Sequence, residues 1–86
     1  MLYYKFDVYK ALTEKGIGFQ FNRDNHIFSQ STMCKLKNNN PNISIENINK
    51  ICLILNLQPG DILGCKSSSE DDSMLSLINN NLNKDF

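Results

Sequence analysis

Residues 28–39 read FSQSTMCKLKNN, and the fold follows from whether this stretch is a helix. Ser29 is a favoured N-cap, since its hydroxyl can accept from a free backbone N–H of the first turn. Met33 and Leu36 stand three apart, on one side of a helix, and are predicted to face a core. Gln30, Ser31, Cys34 and Lys35 then point largely outward. The helix is predicted to end near Asn38, because residues 38–42, NNNPN, bring a proline that forbids continuation and asparagines that tolerate unusual backbone angles.

Downstream, Ser44 caps a second strongly periodic segment, SIENINKICLIL (44–55), whose Ile45, Ile48, Ile51, Cys52 and Leu55 are expected to form most of the core. Asn56 ends it, and Pro59 opens a last short helix, PGDIL, that closes the core with Ile62 and Leu63. Upstream, residues 4–15 place Val8, Ala11 and Leu12 at helical spacings, and Gly16 stops that helix. A short helix from Phe19 to about Asp24 follows, with Phe19, Phe21, Ile27 and Phe28 supplying aromatic and aliphatic bulk. These elements predict an all-α fold, a compact five-helix bundle over residues 1–66.

Residues 66–73, KSSSEDDS, hold nothing apolar and read as a linker. Beyond it Leu75, Ile78 and Leu82 are spaced i, i+3, i+7, as on one face of a helix, so residues 67–86 are an acidic linker and a possible sixth helix. Such a face needs a partner, either the body or the same helix of a second subunit.

At 86 residues the chain suits one domain with a modest core and no deep cleft. No apolar run approaches the roughly 18 residues that span a bilayer. The opening MLYYKFDV lacks the pattern of a signal peptide, which makes the cytoplasm the expected location. Cys34, Cys52 and Cys65 are odd in number with no close pair, so neither a disulfide framework nor a zinc site is expected. Cys52 reads as core, and Cys34 as an outward thiol whose oxidation would obstruct the helix face. His26 has Asp24 near it but no catalytic constellation around it, so no enzyme, metal or cofactor is expected. Net charge is zero, yet residues 1–66 carry eight basic against five acidic side chains and residues 67–86 one against four, a body of +3 and a tail of −3. A basic body is compatible with a polyanionic partner.

The outward side chains of residues 29–38 fit one partner in particular. Glutamine offers the donor and acceptor that match the adenine edge in the major groove, serine serves either sign, and lysine reaches guanine or phosphate. With these residues on the page, the stretch from about Lys5 to Leu63 resembles a helix-turn-helix domain of the Cro/C1 (phage repressor, XRE) type. That family's recognition segment runs apolar, Ser or Thr, two or three polar residues, apolar, two polar residues, Leu, polar, Asn, Gly. Phe28, Ser29, Gln30-Ser31-Thr32, Met33, Cys34-Lys35, Leu36, Lys37, Asn38 and Asn39 follow it in order, Asn39 taking the glycine position. ISIENINKICLILNLQPGDIL is similar to the family's fourth and fifth helices. One departure is Asn22, seven residues before Ser29, where the family carries a buried Leu; Phe21 is expected to take over that role in a shifted register.

The resemblance implies a lambda-repressor-like fold and a transcriptional regulator, expected to be a repressor, bound as a homodimer to a double-stranded DNA operator. By that correspondence Ser29, Gln30, Ser31 and Lys35 read bases, Asn38 and Asn40 clamp phosphate, and Gln20 holds the backbone from the second helix. Lys37, Lys5 and Arg23 are further phosphate candidates. A rival reading is a protein-interaction module, antitoxin-like or anti-repressor, on the same fold. The apolar tail favours it, and the polar Gln30-Ser31-Thr32 tip opposes it, since protein hot spots prefer Trp, Tyr and Arg.

Overall fold

Capping side chains mark where most of the helices begin. The computed structural model describes residues 1–82; Lys84, Asp85 and the side chain of Leu82 lie outside the described residues. Helix α1 (Val8–Glu14) begins at Asp7, whose carboxylate accepts from the Lys10 N–H, and the chain turns at Gly16 with φ +92°. Helix α2 (Phe19–Asn25) is followed by α3 (Gln30–Lys37), capped by Ser29, and α4 (Ile45–Leu55), capped by Ser44. Pro59 is the first residue of α5 (Pro59–Ile62), where the Asp61 carboxylate accepts from the Gln58 N–H. Asn39 and Asn56 both adopt left-handed backbone, φ 58° and 55°, which for Asn39 agrees with its place at the glycine position of the resembled pattern.

Val8, Leu12, Ile17, Phe28, Met33, Leu36, Ile51 and Ile62 form the core, so each of α1, α3, α4 and α5 contributes to it. Ile48 is also buried. Ile45 is not core as expected: it is 86 % exposed. It is the first residue of α4 and stands in phase with the exposed Asn49 and Leu53, at i+4 and i+8, so it lies outside the arc of Ile48 and Ile51.

Two further differences concern the ends of the body. The first helix starts at Val8 and not at Tyr4, because Leu2–Tyr4 forms a strand, β1, pairing antiparallel with β2 (Leu63–Cys65) in the register Leu2↔Cys65, Tyr3↔Gly64, Tyr4↔Leu63. The described residues therefore form six helices and a small two-stranded sheet. Three-residue strands carry no periodicity, and this one exists only because α5 delivers Leu63 beside the amino-terminal segment. The second difference is the linker, which ends early: α6 (Ser69–Leu82) takes in residues 69–73. Ser68 and Asp71 form a reciprocal cap, the Ser68 hydroxyl accepting from the Asp71 N–H and the Asp71 carboxylate from the Ser68 N–H.

Asp71 also receives the Met1 ammonium at 2.6 Å. That contact, with the two donors of Ser68, holds its carboxyl at about 2, well below its ordinary 3.8. The same hydrogen bond raises the Met1 ammonium above its ordinary 8.0. A lowered acid adds stability present above 3.8 and lost as pH falls through about 2, whereas a raised base adds stability present below 8.0 and lost at higher pH. The start of α6 is therefore expected to hold best between pH 4 and 8. Circular dichroism should show helix loss at both extremes for the parent, and a smaller pH response for Asp71→Asn; identical profiles would refute the clasp.

Candidate nucleic-acid interface

The connection between α2 and α3 is held by polar side chains acting on backbone. Asn22 is buried, donating from Nδ2 to the Phe28 carbonyl at 2.8 Å and accepting at Oδ1 from the Phe28 N–H at 2.6 Å. Both Phe28 main-chain groups are satisfied by this one amide. Phe21 is 45 % exposed, so the register is not shifted: the polar residue keeps the buried position, because Phe28 offers it two partners. His26 ends α2 in the left-handed region. From α4, Lys50 donates to the Ile27 carbonyl at 2.8 Å, with its ammonium 5.8 Å from the centre of the Phe28 ring.

Helix α3 is seated by Met33 and Leu36, both fully buried, as their spacing predicts. The Ser29 hydroxyl accepts from the Thr32 N–H at 3.1 Å and lies 2.9 Å from the Thr32 hydroxyl, which in turn accepts from the Asn47 amide of α4. Ser29 is thus engaged in capping, and Thr32 is buried, not part of a polar tip. Gln30, Ser31, Cys34, Lys37 and Asn38 are exposed and Lys35 is half-buried. Positions 30, 31, 34, 35 and 38 recur at three- and four-residue intervals, which places them on one face.

The loop after α3 is fixed from both sides. The Asn40 N–H donates to the Lys35 carbonyl at 2.8 Å, its Oδ1 accepts from the Asn42 N–H at 2.9 Å, and its carbonyl accepts from the Tyr4 hydroxyl at 2.9 Å. Burial raises the Tyr4 hydroxyl above its ordinary 10.0, so it remains a donor at neutral pH. Tyr4 carried no sequence signal for this role, since the partner lies 36 residues away.

Other candidates are dispersed. Gln20 is exposed on α2, its amide 3.2 Å from Asp24. Lys37 lies with its ammonium 5.7 Å from the centre of the Phe19 ring, and Lys5 donates to the Gly60 carbonyl at 2.7 Å. Arg23 and His26 line a cleft of about 250 Å³ together with Ser29 and Gln30, which brings the arginine to the edge of the α3 face. Among the described residues no group of three or more His, Cys, Asp or Glu could hold a metal ion, and no helix is long and apolar enough to cross a membrane.

No curated protein and no solved structure matches the chain significantly. A family model does: that of the Cro/C1-type HTH DNA-binding domain, over residues 27–68, just under half of the sequence. The match begins in the turn before α3 and ends before α6, leaving α2 and its Asn22 outside. It points to DNA binding and transcription regulation. The matched segment carries α3, the loop after it, α4 and α5, and is similar to the Cro/C1-type helix-turn-helix DNA-binding domains that the sequence resembles.

Proposed function

We propose that this chain binds double-stranded DNA sequence-specifically as a small cytoplasmic transcriptional regulator, a non-enzymatic repressor acting as a homodimer on an operator with two similar half-sites. The observation that carries the reading is the exposed polar face of α3, on a helix with a buried underside and a pinned amino-terminal turn, within the segment that matches the family. In this reading α3 enters the major groove. Gln30, Ser31 and Lys35 reach base edges, and Ser29 holds the turn as well as lying at the groove. Asn38 and Asn40 approach phosphate, with Arg23, Gln20 and Lys37 at the rim. Lys37 would leave the Phe19 ring to do so.

The body's charge of +3 is small for a polyanionic ligand, and a dimer doubles it. Fluorescence anisotropy against duplex from upstream of the chain's own gene, and against scrambled duplex, tests the reading at low and near-physiological salt. Preference for the upstream duplex that survives salt is expected. Gln30→Ala should lower that preference by about 1–3 kcal/mol. Lys37→Ala should weaken both duplexes alike and reduce the salt slope by about one unit. If parent and variants fail to separate the two duplexes, the weight passes to the protein-interaction reading, which the exposed apolar side chains of α6 favour.

A further inference from the structure

Two apolar surfaces of this chain lie open. On α6, Met74, Leu75, Leu77 and Ile78 are between 39 % and 64 % exposed. On α4, Ile45 and Leu53 are 86 % and 74 % exposed. Ile45, Asn49 and Leu53 are successive i, i+4 positions along a groove of about 400 Å³ that Cys52, Leu57 and Pro59 also line. Single exposed apolar residues are ordinary, but a stripe beside a groove is not.

We propose that α6 of one copy lies in the groove between α4 and α5 of a second copy, and that the second copy returns the contact. This specifies the interface of the homodimer proposed above, and rests on that part of the reading alone.

Three observations select this occupant. The first is charge: a chain with 21 % charged residues has none from residue 73 to residue 82, and none lining the groove. Interface cores are depleted in charge in the same way. The acidic residues of α6, Glu70, Asp71 and Asp72, sit in its first turn, outside the uncharged stretch. The second is reach. The Met1–Asp71 clasp and the Ser68 cap fix the start of α6, and of residues 69–81 only Asp71 is even half-buried, so the helix does not occupy its own groove.

The third is area. Burial of one large aliphatic side chain removes on the order of 60–120 Å² from water, whereas a stable dimer needs about 800 Å² from each partner. Pairing α6 with α6 along Leu75 and Ile78 uses two such side chains per copy, roughly 200 Å². A two-fold exchange buries both surfaces of both copies. It raises the count to six per copy, Ile45, Leu53, Met74, Leu75, Leu77 and Ile78, before the groove walls are included. At 14 residues α6 is about 21 Å long, enough to follow the 11 residues of α4.

Sedimentation velocity without DNA tests the exchange on three proteins: the parent, a groove variant (Ile45→Glu with Leu53→Glu) and a helix variant (Leu75→Glu with Ile78→Glu). All four positions are exposed, so the monomer fold should survive, as circular dichroism would verify. The parent should be a dimer and each variant alone a monomer. An equimolar mixture of the two variants should regain a dimer, weaker than the parent's, because one intact helix meets one intact groove. A groove variant that remains dimeric would mean α6 pairs with α6, and a mixture that stays monomeric would remove the reciprocal contact. A monomeric parent that still prefers its upstream duplex would overturn the exchange while leaving DNA recognition standing.

Discussion

Asn22→Ala should lower the stability of the domain by about 3 kcal/mol or more, a loss out of proportion to one small polar side chain. The reason is the pair of main-chain groups it serves. Without the amide, the N–H and C=O of buried Phe28 lose both partners, and an unpaired buried group costs about 1–3 kcal/mol. For a domain of this size the melting temperature should fall by about 12–24 °C. Asn22→Leu is the sharper test, because leucine is the residue the resembled family has at this position. Burying its side chain offsets about 1.5–3 kcal/mol, yet the two orphaned groups remain, so the variant should still melt below the parent. A leucine variant more stable than the parent would show that the amide is incidental.

The second large effect is expected at Leu36. It is fully buried and, with Met33, is the underside on which α3 rests. Leu36→Ala should destabilise by about 2–5 kcal/mol through lost burial and the cavity left behind. That is a large share of the total stability of a small domain, on the order of 5–10 kcal/mol. Ser31→Ala, five residues earlier on the outward face, should stay within about 0.5 kcal/mol of the parent in urea unfolding. If the two behaved alike, the assignment of buried and outward faces on α3 would be wrong. The pair also separates stability from recognition: Ser31→Ala should alter DNA preference without moving the midpoint.

These two helical faces were legible in the sequence because they depend on spacing within a few residues. Ser29, Ser44, Pro59 and Gly16 mark helix ends through local backbone chemistry, and the structure places all four where that chemistry requires. What stayed hidden depended on distant partners. Asn22 looks like a defect in an apolar position until the Phe28 backbone is seen against it. Residues 2–4 look like the first turn of a helix because nothing in them announces Leu63 to Cys65. Ile45 stands three residues from buried Ile48 but four and eight from the exposed Asn49 and Leu53, and spacing alone did not decide between the two faces. The α6 cap was readable in principle, since Ser68 and Asp71 stand three apart as in a capping box, but the serine-rich, acidic composition around them masked it. For the proposed interface, the sequence supplies the order of residues on α3, whereas the pinning of Asn40 by Tyr4 required the three-dimensional structure.

The small sheet also bears on how the molecule assembles. Helix α1 packs on α3 and α4, but β1 and β2 are joined across a still longer stretch of about sixty residues, and closing so long a loop is entropically unfavourable until the intervening helices have formed. The strands should therefore pair late, after the transition state. Weakening them would accelerate unfolding far more than it would slow folding. Because Tyr4 belongs to β1 and holds the Asn40 carbonyl, the loop beyond α3 acquires its final form only at that step. A nascent chain would thus present the helix before it presents a finished surface for the phosphate backbone.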